Sequence, residues 1–104
     1  MTLEKWSNLT VSEQMANIGA EVGRAINWKD KGKANLSKNC FYRALDLIDL
    51  SLRDLNKGHG FLREMARTRE IIVDYLFGEN EYGSTGESLN KYFLAFNFKA
   101  RNDK

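Results

Sequence analysis

The segment with the clearest chemical potential is the run Arg-Asp-Leu-Asn-Lys-Gly-His at residues 53–59. An imidazole beside a ribose hydroxyl can remove its proton as a general base or return one as a general acid. A guanidinium nearby can hold the phosphate and stabilise the charge that develops on it. Arg53, Asp54 and His59 are therefore the candidate catalytic residues, and the reaction they fit is metal-independent cleavage of RNA.

The same residues also have a non-catalytic interpretation. His59 lies between two glycines, which is typical of an exposed turn residue that caps the helix after it. Arg53 lies four residues after Asp49, the spacing of an ion pair on a helix surface, which stabilises a helix by only roughly a few tenths of a kcal/mol. The sequence leaves both interpretations open.

Other kinds of reactive site are not indicated. The chain has one histidine, one cysteine and no Glu-x-x-His pair, whereas carboxylate-bridged metal centres and structural zinc sites need several such ligands. The acidic segment 78–86 lacks the regular oxygen-ligand spacing of a calcium loop. There is no glycine-rich phosphate-binding motif, and no motif marks a Ser-His-Asp triad. We therefore expect neither a metal nor another cofactor.

A face of small residues is a second candidate site. Gly19 and Gly23 lie one helical turn apart beside two alanines, and each glycine costs a helix roughly 1 kcal/mol relative to alanine. Close approach of a neighbouring helix or subunit explains such a face, and we prefer this interpretation. The alternative is a small polar cleft in which Glu21 and Arg24, on adjoining positions, bind a ligand.

A row of charged residues is the third candidate surface. Arg63, Arg67, Glu70 and Asp74 recur at helical spacing, with the positive charges first and the negative charges last. This order opposes the helix dipole, which favours negative groups at the start of a helix. Pairing with another helix or with an anionic partner explains the row better than local helix stability does. Arg63 and Arg67 are its candidate binding residues, and the sequence leaves open whether they meet RNA or carboxylates.

Size and composition indicate an ordinary globular domain. A chain of 104 residues can bury a core without disulfides or metal, and its net charge of +2 is small for a protein that binds nucleic acid mainly through phosphates. The single cysteine, Cys40, is expected to be buried and inert. There is no signal-peptide pattern, and no apolar run approaches the roughly 20 residues that a membrane span requires. We expect a cytoplasmic protein that does not bind membranes.

Glycine clusters divide the chain into segments of helical length, and no segment shows the alternating pattern of a strand. The predicted helices cover residues 11–31, 36–55, 61–77 and 85–100. Capping boxes, formed by Thr10 with Glu13 and by Ser84 with Glu87, mark the starts of the first and fourth helices. Short connections join antiparallel neighbours, so the expected fold is all-α, an antiparallel up-and-down four-helix bundle in one domain spanning 1–104.

Each predicted helix has an apolar stripe at three- and four-residue spacing, which predicts the side that faces the core. The stripe is clearest in the second helix, where it runs from Phe41 through Ile48 to Leu55. The stripes of the other helices contain Met15, Ile18, Val22 and Ile26; Leu62, Met65, Ile72 and Leu76; and Leu89, Tyr92, Phe93, Phe96 and Ala100. Trp6 and Leu9 precede the first predicted helix, and we expect them to pack back onto the domain.

The fourth predicted helix has a second apolar row. Leu94 and Phe98 form this row, which is rotated well away from the core stripe. A single bundle face cannot cover a helix that is apolar on two sides. The second row, together with the face at Gly19 and Gly23, predicts the interface of a homodimer.

Arg53 and His59 fit the Arg-x(4–6)-His motif of the HEPN domains, and the chain length and all-helical pattern also resemble this family of small four-helix-bundle proteins. The resemblance implies a dimer that brings two such motifs together across a cleft. It also implies one of two roles, since many HEPN domains are RNases of toxin–antitoxin systems and others are partners of small nucleotidyltransferases.

Two functions follow. The first is a non-enzymatic interaction module that acts as a homodimer, with a protein partner such as a nucleotidyltransferase. The second is a metal-independent RNase, or a nucleotide-binding protein, that uses Arg53, Asp54 and His59. We favour the first.

Overall fold

The computed structural model describes the backbone of residues 1–102 and the side chains of residues 1–96. Within this part the chain is helical and contains no strands, which confirms the all-α prediction. The helices are α1 (Leu3–Ser7), α2 (Val11–Asp30), α3 (Ala34–Leu52), α4 (His59–Phe77) and α5 (Gly86–Asn102), with a short 3₁₀ helix at Leu55–Lys57. The four predicted helices correspond to α2–α5, and α1 is an addition.

Helices α2 and α3 form the centre of the molecule. Helix α5 packs against α2, and α4 packs against α3. The contacts between Gly19 and Phe93 and between Ile26 and Gly86 show that α5 runs antiparallel to α2. Helices α4 and α5 are joined mainly by side chains rather than by close backbone packing. A cleft therefore separates α4 from α5.

The predicted core faces are largely confirmed. The buried core residues include the whole predicted stripe of α2, and also Phe41, Ala44, Leu45, Ile48, Met65, Ile72, Leu89 and Phe93. Trp6 is fully buried, and Leu9 packs against the core. Four other predicted core residues are only partly buried: Leu62, Leu76, Tyr92 and Phe96. Leu55 is exposed, because α3 ends at Leu52 and Leu55 lies in the 3₁₀ helix with 78% of its surface exposed. The side chain of Ala100 lies outside the described residues.

One predicted helix start is confirmed and the other is wrong by one residue. Thr10 and Glu13 form a capping box with both reciprocal hydrogen bonds. At α5 the reciprocal pair is Thr85 with Ser88, rather than Ser84 with Glu87. Ser84 belongs to the preceding loop, because its backbone N–H donates to the side chain of Asn80 and its carbonyl accepts from the same amide.

Candidate functional site

Asp54, the second residue of the Arg–His segment at 53–59, is buried, with 2% of its surface exposed. Its Oδ1 accepts hydrogen bonds from the Ser7 hydroxyl at 2.9 Å and the Asn56 backbone N–H at 3.3 Å. Its Oδ2 accepts from the Gln14 amide at 3.0 Å and lies 3.5 Å from the Lys57 ammonium. Both carboxylate oxygens are therefore committed to contacts within the fold.

These contacts continue into a buried polar network that joins α1, α2 and α3. The Trp6 indole N–H donates to the Ser51 hydroxyl at 2.9 Å, and Ser51 donates in turn to Gln14 Oε1 at 2.9 Å. Gln14 also donates to the Trp6 carbonyl at 2.9 Å. The network thus fastens the short helix α1 to the end of the molecule where Asp54 lies.

The network also controls the charge on Asp54. Burial alone would raise the pKa of this carboxyl, since a low-dielectric environment disfavours the charged form. Hydrogen bonds from Gln14 and Ser7, together with the nearby Lys57 ammonium, outweigh burial and hold the pKa of Asp54 below its ordinary value. Asp54 is consequently ionised at neutral pH and is held in place as an acceptor.

Arg53 and His59, unlike Asp54, are exposed. Arg53 is the C-cap residue that follows α3, and it lines an open groove with Asp54 and residues of α1, whereas His59 does not line that groove. The predicted ion pair of Arg53 with Asp49 does not form, because Asp49 pairs across to Arg69 of α4 at 2.8 Å. His59 is the first residue of α4 and makes no side-chain cap. Neither Arg53 nor His59 has an ion-pair partner among the described residues.

Glu21 forms ion pairs with two arginines. One is Arg24, which the sequence indicated, and the other is Arg43, which it did not. Glu21 Oε1 lies 2.7 Å from Arg24 Nη1, and Oε2 lies 3.0 Å from Nε of Arg43 on α3. The guanidinium of Arg43 also lies 3.1 Å from the sulfur of Cys40, which is buried as predicted. Both oxygens of Glu21 are thus used within the chain. Arg43 was missed because its partner lies on another helix.

Helix α5 covers one half of the glycine face. A Cβ added at Gly19 would lie 2.5 Å from Cβ of Phe93, so this glycine permits α5 to approach α2 closely. At Gly23 an added Cβ would meet only the Asn90 side chain, at 3.6 Å. The interpretation of close helix packing therefore holds at Gly19. Both glycines line the open groove between α2 and α5, with Gly19 buried beneath Phe93 and Gly23 only partly covered.

The acidic end of the charged row on α4 holds the loop that follows. Asp74 accepts hydrogen bonds from the backbone N–H groups of Glu81 at 2.9 Å and Tyr82 at 3.1 Å, and Glu70 accepts from the Tyr82 hydroxyl at 3.2 Å. This role explains why the negative charges lie at the unfavourable end of the helix. Residues that bind their own loop seven or more positions ahead give no local sequence signal.

The basic end of the same row is free. Arg63 and Arg67 are exposed, and neither forms an ion pair within the part of the chain that the structure describes. Arg67 lines the cleft between α4 and α5, whereas Arg63 does not. The row predicted from sequence thus separates into a structural half and a half available to a ligand or partner.

Leu94 on α5 is an exposed apolar residue, with 61% of its surface accessible. It lines an open groove of about 610 Å³ between α2 and α5, together with Gly23, Asn90 and the charged groups of Asp30, Glu87 and Lys91. Phe98, the other member of the predicted apolar row, lies outside the residues whose side chains are described. Together, this groove and Leu94 are called the exposed face of α5.

No protein-family model matches the sequence, and neither the curated proteins nor the solved structures yield a match. Across residues 1–102, no helix has both the length and the apolar character needed to cross a membrane. Over the same described residues, no group of three or more His, Cys, Asp or Glu side chains is arranged to hold a metal ion.

Proposed function

We propose that this chain is a non-enzymatic interaction module, an antiparallel up-and-down four-helix bundle that dimerises through the exposed face of α5 and acts with a protein partner. The resemblance to HEPN domains supports a small nucleotidyltransferase as the class of that partner. The single cysteine, which is free and buried, supports a reducing, cytoplasmic location. The observation that carries the proposal is the exposure of Leu94, a large apolar side chain that lines the same groove as Gly23.

The composition of the groove favours a second copy of the chain as the occupant. A two-fold axis brings the same surface of both copies together, so the surface must complement itself. Leu94 provides an apolar projection, and the open position at Gly23 provides space to receive one. Lys91 is positive while Asp30 and Glu87 are negative, and all three line the same groove. Lys91 and Glu87 also pair with each other within α5 at 3.8 Å, with both side chains largely exposed. A surface that carries both signs can place opposite charges across a two-fold axis.

Replacing Leu94 with glutamate tests this interface. Each copy contributes one Leu94, so the loss of apolar burial counts twice and we expect the dimer dissociation constant to rise at least about a hundredfold. Leu36→Glu is the matched control, since Leu36 is also exposed but lies in the first turn of α3, away from the groove. Light scattering after size exclusion measures the mass of each variant. Equal dimerisation of wild type and Leu94→Glu would contradict the proposal.

A second candidate function, metal-independent RNA cleavage, is favoured by one observation. Arg53 and His59 are both exposed and unpaired within the described part of the chain, so a phosphodiester has access to a guanidinium and an imidazole. Asp54 does not take part in this proposal as a proton carrier, because its carboxylate is buried and fully hydrogen-bonded.

An RNA cleavage assay in EDTA distinguishes the two functions. We expect the wild-type protein to cleave no faster than a His59→Ala variant, because His59 has no partner that fixes its orientation among the described residues. General acid–base catalysis is worth about a hundredfold or more, so a loss of that size in His59→Ala would establish the RNase function. Arg63→Ala, which removes an exposed arginine of α4, controls for a general loss of RNA affinity.

A further inference from the structure

The cleft between α4 and α5 is a consequence of how these helices are supported. Helix α4 packs on α3 and α5 packs on α2, so the two are held apart by the central pair. The space between them has a volume of about 290 Å³. The loop at 78–85 connects their ends and contributes Ser84 to the wall. Side chains from α1 and from the segment at 53–59 do not line it, so this cleft is separate from the Arg–His segment.

The interior of the cleft is apolar. Ile72, Leu89 and Phe93 belong to the buried core, and Ile71 lies beside them. An apolar cavity of roughly 150 Å³ accommodates a benzene ring, so the larger volume of this cleft suits an apolar body of roughly ten non-hydrogen atoms. The shape and lining therefore fit a ring or a short branched chain.

The polar groups at one end of the cleft are already satisfied. The Tyr92 hydroxyl donates to the Glu64 carboxylate and lies 3.2 Å from the Thr68 hydroxyl. Burial, followed by the hydrogen bond to Glu64, raises the pKa of Tyr92 to about 12. The phenol therefore keeps its proton at neutral pH and donates it to one oxygen of the Glu64 carboxylate. This end closes the cleft between the two helices.

Two hydrogen-bond donors on the cleft wall are unoccupied. The Arg67 guanidinium has no ion pair within the described residues. The Ser84 backbone is fixed by Asn80, while its hydroxyl has no hydrogen-bond partner in the part of the chain that the structure describes. A planar guanidinium binds a carboxylate through two parallel hydrogen bonds, and a hydroxyl can donate a third.

From this arrangement we propose that the cleft binds a small monocarboxylate with an apolar aryl or branched alkyl body. The apolar part packs against the half-buried Ile71 and the small accessible edges of Leu89 and Phe93, and the carboxylate pairs with Arg67. The ligand carries no more than one negative charge, because Arg67 provides one positive charge and the Glu64 carboxylate on the same wall would repel a second anionic group. The proposal is independent of dimerisation, since Leu94 and Gly23 do not line this cleft.

Phenylacetate is a suitable probe, because it joins a phenyl ring to a carboxylate through one methylene group. Titration followed by amide NMR should show shifts clustered at Ile71, Ser84 and Leu89, with a dissociation constant of about a millimolar. Phenylacetamide has nearly the same shape without the charge, and we expect it to bind at least about tenfold more weakly.

A matched pair of arginine variants tests whether Arg67 is the residue that binds the ligand carboxylate. Arg67→Gln should weaken phenylacetate binding at least about tenfold, whereas Arg63→Gln, on the same helix but outside the cleft, should change it less than about twofold. Both arginines are exposed, and the amide spectrum shows directly whether each variant is folded. The proposal is overturned if phenylacetate causes no clustered shifts, if phenylacetamide binds equally well, or if the two variants behave alike.

Discussion

Replacing Asp54 with alanine is expected to lower the free energy of unfolding by about 3 kcal/mol. The carboxylate accepts hydrogen bonds from Ser7, Gln14 and Asn56, and its loss leaves these donors unsatisfied and Lys57 without a counter-ion. Urea unfolding followed by tryptophan fluorescence measures the change, because Trp6 belongs to the same network.

The exposed carboxylate of Asp49 is the control for this experiment. It forms a single ion pair with Arg69, and both side chains are partly accessible to solvent. Pairs of this kind contribute little because water screens them, so Asp49→Ala should cost less than about 1 kcal/mol. Equal destabilisation by the two substitutions would mean that burial and the hydrogen-bond network do not distinguish Asp54.

The Asp54 carboxylate should also make the stability of the fold fall at acidic pH. Because the pKa of Asp54 in the folded state lies below its ordinary value, its stabilising contribution is present above the unfolded-state pKa and is lost as the pH falls through the folded-state pKa. The stability difference between the wild type and Asp54→Asn should therefore be largest near neutral pH and shrink below about pH 4.

Alanine substitutions at Gly19 and Gly23 are expected to change stability in opposite directions. At Gly19 the new methyl group would lie 2.5 Å from Cβ of Phe93, and overpacking of this kind costs about 2 kcal/mol. At Gly23 the nearest atom is 3.6 Å away, so the gain in helix propensity should stabilise the fold by roughly 0.5–1 kcal/mol. Thermal unfolding of both variants, at a protein concentration low enough for the chain to be monomeric, measures the difference.

The two glycines serve as controls for each other, because they lie one turn apart on the same helix face. A difference of about 2–3 kcal/mol separates their melting temperatures by about 10 °C or more in a domain of this size. Stabilisation by Gly19→Ala would show that α5 does not pack on α2 as described. Destabilisation of the monomer by Gly23→Ala would show that α2 and α5 of the same chain already fill the groove at this position.

Periodicity was sufficient to predict the long helices and most of their buried faces. Each apolar stripe spans several turns, so an error of one residue at a helix end leaves the inward face unchanged. The predictions were wrong at two helix ends. At one, the apolar pattern continues past the last turn of the helix, and at the other, a residue that fits a capping box forms its hydrogen bonds within the preceding loop. Leu55 extends the stripe of α3 but falls beyond its last turn, and Ser84 fits a capping box but is held by Asn80.

The candidate site was less predictable, because its contacts join residues distant in sequence. Asp54 resembled a catalytic residue through its neighbours Arg53 and His59, whereas its carboxylate is bound by Ser7 and Gln14, more than 35 residues away. Short helix α1, which provides Ser7, is too brief to show a helical period. Spacing identified the polar residues, but it gave no information on which of them the fold would bury.

Self-association is the property that tests the proposed function most directly. Sedimentation velocity of the wild-type protein over a range of concentrations should show conversion of a 12.0 kDa monomer into a species of about twice that mass. A single species at the monomer mass, unchanged across the concentration range, would contradict an interaction module that dimerises through α5.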